Sequence, residues 1–221
     1  MATGKSAKTV VVTSPLRCCF LTVFKTSEYL GAHSYGVDVL VSKDNPEPLR
    51  PINVAYRKVC QEAFGKPEAK NRPWSFNAKY KGDKAIVKDG DARYDRADPE
   101  RKDTYAAFRD HYYMSIKLDP AEGKPIVRDR HGVPIDDESE LMSGDYIQCQ
   151  FSISAYTSKK YGEMVTTRLI GVKKIKTGEH FSEAIIDPAA AEAAFDAATF
   201  DESEWVDDDA ENWSTNDDDI I

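Results

Sequence analysis

No lysine or arginine occurs after Lys176, so the 15 carboxylates of residues 179–221 have none within that segment to pair them. Such a segment cannot offset the entropy of ordering by burying apolar surface, so folding is confined to what precedes it. There, 30 bases face 23 carboxylates. A net charge of −8 spread evenly would argue against a polyanion partner. Split in this way, it leaves a basic folded body joined to an acidic segment that competes for the same surface or recruits basic partners. The partition reads as a folded domain over residues 1–178, a linker over 179–200 and a disordered acidic tail over 201–221. Within the linker, Asp187 caps a short Ala-rich helix that begins at Pro188.

About 180 foldable residues suit one domain with a real core. No stretch approaches the ~18 consecutive apolar residues of a membrane helix, and the start, MATGKSAKTVVV, has too short an apolar run for a signal peptide. A soluble, intracellular protein without a membrane partner is expected. Cys18, Cys19, Cys60 and Cys149 form no C-x-x-C pair, and His33, His111, His131 and His180 are scattered, which excludes a zinc site of the usual spacing. The thiols Cys18, Cys19 and Cys149 lie in apolar runs and read as reduced core residues. No metal or other cofactor is expected.

Residues 16–24 read as a buried strand, and Tyr35, Val37, Val39 and Val41 alternate with Gly36, Asp38 and Leu40 as a second strand, paired with the first across a turn near Gly31. A helix follows: Pro51 suits its first position, Ile52, Ala55, Tyr56, Val59 and Ala63 fall at 3–4 spacing, and Gly65 ends it. Residues 66–108 are polar and basic with weak periodicity, giving short strands and loops, among them a strand over 84–88 ended by an Asp89-Gly90 turn. Tyr112, Met114, Ile116 and Leu118 alternate with Tyr113, Ser115 and Lys117. Residues 126–128 and 133–135 flank a hairpin turn with Gly132 at its left-handed position. The clearest strand covers 146–156, with Ile147, Cys149, Phe151, Ile153 and Ala155 on one face, and its partner runs over 164–176. Several strands, one helix and closely spaced turns predict a mainly β chain, a small antiparallel barrel.

Single-stranded nucleic acid is held by bases along the phosphates and by aromatic rings on which nucleobases stack. The sharpest cluster of these types is Tyr156 with Lys159, Lys160 and Tyr161: the strand phase puts Tyr156 on the non-core face and the turn brings the lysines beside it. Tyr113 and Lys117 share the polar face of their strand, and Arg168 adds a cation on another. Trp74, with Phe76 and Tyr80, lies among Lys79 and Lys81, and these rings read equally as stacking platforms or as a lid over the core. Two enzyme signals fail on placement. Gly4-Lys5-Ser6 lacks the earlier glycine and preceding strand of a phosphate-binding loop. The carboxylates Asp136, Asp137, Glu138 and Glu140 have no base at a useful spacing and read as a solvated loop. Asp217, Asp218 and Asp219 followed by Ile220 and Ile221 form a docking element, charge for steering and apolar residues for anchoring.

The order of these parts resembles the phage replication proteins that bind single-stranded DNA through one OB fold and carry an acidic C-terminal tail, a family represented in phage T-seven and related to a phage family of formerly unknown function. The likeness covers Tyr35-Gly36-Val37-Asp38-Val39, the helix from Pro51, and the strand pair that follows Ser143-Gly144-Asp145. Tyr156 matches the family position at which an aromatic side chain follows the long strand and faces DNA. The Asp217-Asp218-Asp219-Ile220 run is similar to the tips of bacterial and phage single-stranded DNA-binding proteins, where a terminal Phe is typical in place of Ile221. The resemblance implies an OB-fold antiparallel barrel with one or two helices. It also implies a non-catalytic role in phage DNA replication, recombination and repair in the cytoplasm of an infected bacterium. By it, the partners are single-stranded DNA, bound without sequence preference, and replication proteins such as the polymerase and primase-helicase, recruited by the tail. Duplex DNA becomes a partner when the tail is removed, and a homodimer is a further assembly to test. Two alternatives stand beside this reading: a metal-dependent nuclease using residues 136–140, and a DNA-mimic inhibitor acting through the tail.

Overall fold

The computed structural model describes residues 5–71 and 85–181. Trp74, Phe76, Lys79, Tyr80, Lys81, the Ala-rich stretch and the tail with Asp217, Asp218, Asp219, Ile220 and Ile221 lie outside the described residues. Among the described residues, no helix is long and apolar enough to cross a membrane.

Strict alternation has the expected result in the chain's clearest strand. Strand β7 (Tyr146–Ser158) buries Ile147, Cys149, Phe151, Ile153 and Ala155 completely. It forms a long hairpin with β8 (Gly162–Lys176), closed at Ser158 opposite Gly162, whose φ of +70° suits glycine. The other edge of β7 is shared by two consecutive strands. Strand β1 (Ala7–Val12) pairs with residues 150–155, and β2 (Leu16–Tyr29) with Tyr146 and Ile147. Thr13 bridges the break, its Oγ1 accepting from the Cys149 amide while its own amide donates to the Cys149 carbonyl, so the ladder continues where the strand bends.

From β2 the chain turns into β3 (Ala32–Ser42), which pairs on its far side with β5 (His111–Leu118); the short β4 (Lys88–Asp89) lies beyond β5. β6 (Ile126–Arg128) lies parallel to β8, and β5 and β8 approach one another across the remaining gap. A bent leading segment, β1 and β2, of which β2 pairs with both β3 and β7, a meander and a closing hairpin make this the OB barrel expected from the sequence. Helix α1 (Arg50–Phe64) packs against β1 and β7 with Ile52, Tyr56, Val59 and Cys60 buried; Pro51 lies in its first turn and Gly65, at φ +71°, ends it.

Three regions depart from the sequence reading. β1 was not anticipated, because three consecutive valines after a polar lead give no alternation to read. β2 runs on to Tyr29, five residues beyond the expected end, because its last part is a solvated arm with no apolar period. Of the strand expected over 84–88, Lys84 lies outside the described residues and the rest is extended only at Lys88–Asp89, and Asp89-Gly90 makes no hairpin turn: Asp89 accepts from the Asp91 amide and caps a short helix α2 (Gly90–Asp95). The 126–135 hairpin forms as expected, with Gly132 at φ +88° and the Asp129 carboxylate accepting from the amides of His131 and Val133.

All four cysteines are buried and unpaired. Burial pushes the Cys18 thiol up to about 12 and raises Cys19 and Cys149 as well, so these are unreactive core thiols.

Candidate nucleic-acid interface

The outer faces of β2, β3 and β5 start as a polar surface. In register across the three strands lie Cys19, Asp38 and Ser115, then Thr22, Gly36 and Lys117. A β-bulge in β2 places Phe20 in the left-handed region (φ +47°) and adds its ring to this face. Residues 90–110 then fold over one end. Lys43, at the end of β3, pairs with Asp89 and Asp91, and the Asp91 carboxylate also accepts from the Asp110 amide, which ties both ends of the segment down. Gly90 lets it close: a Cβ there would stand 2.1 Å from the Phe108 carbonyl oxygen.

The result is a second apolar cluster outside the barrel, formed by Cys19, Leu40, Phe108 and Tyr113 with Phe20, Tyr105, Ala107 and Phe181 against it. The Arg93 guanidinium sits among its rings, 4.3 Å from the centroid of Phe108, 4.8 Å from Tyr113, 5.0 Å from Phe20 and 5.4 Å from Tyr105. It also pairs with the buried Asp38 carboxylate. Beside it an open concavity is lined by Arg93, Arg96, Ala97, Tyr105 and Tyr113. Lys102 and Arg109 stack on Tyr94, and Lys88 lies over Tyr113. Cations held over aromatic rings, with a carboxylate already neutralised, suit a strand of phosphates and exposed bases.

The two expected site residues on β5 part company. Lys117 is exposed, its Nζ 5.8 Å from the centroid of the Tyr29 ring. Tyr113 is on the expected face but only 4% exposed, covered by Phe108 edge-on at 5.0 Å and by Arg93. It is therefore a platform under Arg93 rather than a free stacking ring, because residues 90–110 cover it.

At the β7–β8 tip, Lys159, Lys160 and Tyr161 are exposed and Tyr156 is half-buried on the non-core face, opposite Met164. Lys160 lies 5.0 Å from the Tyr161 ring centroid. The tip is tied to the chain after α1: Glu163 pairs with Lys66 and accepts from the Lys70 amide, and Asn71 donates to the Tyr161 carbonyl. Two lysines, Lys66 and Lys70, thus hold this carboxylate, and Lys159 and Lys160 stand exposed at the tip beside it in sequence. Burial would raise the Glu163 carboxyl, but the Lys66 and Lys70 hydrogen bonds outweigh it and hold it below the usual range. Arg168, on the outer face of β8, is engaged by Glu122 at 2.5 Å. Sequence reading missed Arg93, Tyr105 and Phe108; the one available signal was the interleaving of aromatic and basic residues after Asp89.

The carboxylates 136–140 are a solvated turn. Asp137 accepts from the Ser139 amide, which lowers its carboxyl pKa, and Glu138 pairs with Lys25. Among the described residues, no three His, Cys, Asp or Glu side chains converge as metal ligands.

An OB barrel with a cation-and-aromatic face over β2, β3 and β5, and further lysines on its last hairpin, defines an oligonucleotide-binding class of protein. A family model described as "Enterobacter phage Enc34, ssDNA-binding protein" matches residues 9–209, and the chain belongs to that family. The structure of the single-stranded DNA-binding protein from bacteriophage Enc34 shares the fold at 18% identity and a TM-score of 0.50, covering 83% of this chain and 89% of that one. The same protein in complex with ssDNA superposes with a TM-score of 0.51 at 18% identity, over 78% and 89% of the two chains. Gp2.5, a single-stranded DNA-binding protein of bacteriophage T7, gives 0.46 at 15% identity over 90% and 99%. No curated protein sequence matches the chain.

Proposed function

We propose that this chain is a non-catalytic single-stranded DNA-binding protein of phage DNA replication and recombination, acting in the cytoplasm of the infected host. The observation that carries the reading is the outer face of β2, β3 and β5, where Arg93 is set among four aromatic rings beside an open concavity and Lys117 extends the cationic track. Tyr156, Lys159, Lys160 and Tyr161 form the second contact, at the hairpin that flanks the groove in OB folds. Recognition by stacking and phosphate contact is independent of sequence. The acidic segment 201–221 acts as a tethered polyanion that competes with DNA for the basic body and, when removed, allows duplex binding. Its Asp217-Asp218-Asp219-Ile220-Ile221 run recruits the phage polymerase and primase-helicase.

Fluorescence-anisotropy titration of labelled oligothymidine tests the reading, using the intact chain and a chain ending at Phe200, each at low and moderate salt. Saturable binding that weakens with salt is expected, tighter for the shortened chain. Absence of binding by both forms removes the DNA reading, and equal affinities remove the competing role of the tail.

A further inference from the structure

The β2–β3 hairpin ends in a feature that stability does not explain. Residues 25–33 are all exposed, and their register runs Ser27 to Ser34, Glu28 to His33 and Tyr29 to Ala32, so a two-stranded arm stands clear of the barrel. Its two-residue turn is Leu30-Gly31, with φ of +52° and +77°. Positive φ at both positions is the type I′ geometry, which favours Asn-Gly or Asp-Gly. Leucine at the first position is penalised twice: its Cβ crowds the left-handed backbone, and its side chain is 88% exposed to water. Next to it, Tyr29 is 70% exposed.

A strained apolar residue held at the end of an exposed two-stranded arm, with an aromatic ring beside it, points to a partner surface. The charges around the tip indicate which one. Tyr29 lies on the same sheet face as Ser27, Ser34, Gly36 and Lys117, so the tip continues the row that leads through Lys117 towards Tyr113 and Arg93. Lys117 sits against the Tyr29 ring, and Glu28, the only carboxylate on the arm, faces His33 across it, Nε2 to Oε2 3.9 Å. An apolar wedge flanked by a cation, and continuous with a face for single strands, fits the last base pair of a duplex where it opens into a single strand. There the outermost base presents an apolar face with no stacking neighbour, and wedge residues such as Leu are used to part base steps.

We propose that Tyr29 and Leu30 form a junction wedge: while the single strand lies on the β2–β3–β5 face, the arm caps the adjoining terminal base pair and favours its opening. The proposal rests on the single-stranded DNA reading above and adds a contact site, the tip of the β2–β3 arm, for the single-strand/duplex junction.

The test uses the full chain in anisotropy titrations with two DNAs of equal single-stranded length, a plain oligothymidine and the same oligothymidine extending from a stable hairpin duplex. In the second, 2-aminopurine occupies the terminal pair. The native chain is expected to bind the junction about tenfold more tightly, the worth of one stacked base, and to change the 2-aminopurine fluorescence. Leu30→Asn, which suits the left-handed turn, should raise the thermal midpoint while removing much of the preference, and Tyr29→Ser should remove the rest; both keep oligothymidine affinity within about twofold. Equal affinity of the native chain for the two DNAs overturns the wedge and leaves the single-stranded reading standing, as does an undiminished preference in both variants. Binding to neither DNA overturns both, and the apolar tip is then a protein contact.

Discussion

Phe151 and Phe108 are both fully buried aromatic residues, yet they are enclosed by different means. Phe151 lies inside the barrel on β7, where Cys149 and Ile153, two residues to either side on the same face, are equally buried. Phe108 lies outside the barrel, at the end of a segment of short helical turns, held there by Lys43, Gly90 and Asp110 rather than by a strand ladder. The inner cluster makes the fold. The outer one turns a polar sheet face into a cationic, ring-lined surface, so its loss should affect binding in a way that inner substitutions do not.

Phe151→Ala should give the largest effect, a loss of about 4 kcal/mol in urea unfolding, with oligothymidine affinity of the folded fraction unchanged. Phe108→Ala removes a ring of the same size and should also destabilise the chain, but it loosens the seat of Arg93 and should weaken oligothymidine binding at least tenfold. Equal affinities for the two variants at a temperature where both are folded would erase the distinction between the clusters.

Arg93→Met sharpens the comparison at one atom group. It keeps a side chain of similar length among the rings but leaves Asp38 buried without its cation, at a cost of about 3 kcal/mol. Asp38→Asn placed in the same chain should restore most of that stability and none of the DNA affinity. Full recovery of affinity in the double variant would show that Arg93 acts only by holding the fold.

The division between what was legible in the sequence and what was not follows the same boundary. The inner cluster could be read because a half-buried strand imposes period two, as in Ile147 to Ala155, and because α1 carries both Pro51 and Gly65 as punctuation. The outer cluster could not. Its cover comes from a β-bulge at Phe20, a six-residue helix and 3-10 turns, none of which has a long enough period, and the turn residues Asp89-Gly90 serve a helix cap as readily as a hairpin. Of the expected contacts, Lys117, Lys159, Lys160 and Tyr161 are exposed, because position beside a turn or on an outer face is a local property. Tyr113 is covered, because covering depends on residues 90–110 returning over it.

Asp145 provides a smaller, pH-dependent test. It is fully buried, pairs with Lys174 at 2.9 Å and His180 at 3.3 Å, and accepts from the amides of Met142 and Gly178. Burial raises its carboxyl pKa, but the Lys174 and amide hydrogen bonds outweigh that and leave it below the ordinary value. A carboxyl lowered on folding contributes stability that is fully present above its unfolded pKa, near 4, and is lost as pH falls through the folded value. Native chain should therefore lose stability below about pH 4, and Asp145→Asn should be less stable at neutral pH with a shallower acid limb in urea titrations. This carboxylate orders the chain just after β8 and does not line the concavity beside Arg93, so oligothymidine affinity at neutral pH should stay within about twofold.

The smallest expected change concerns exposed lysines that contribute to neither cluster. Lys117→Ala removes a cation whose contact is an exposed ring, Tyr29, so thermal unfolding should not move measurably. Each lysine that neutralises a phosphate contributes roughly 0.7 to the slope of log affinity against log salt for a single strand. Lys117→Ala and Lys160→Ala should each reduce that slope by about this amount, and the pair by about twice it, because one lies on β5 and the other at the β7–β8 tip, with different ring contacts. An unchanged slope for Lys160→Ala with a reduced slope for Lys117→Ala would confine the DNA path to the β2–β3–β5 face. The reverse result would move it to the β7–β8 tip and leave Arg93 and its rings as a purely structural second core.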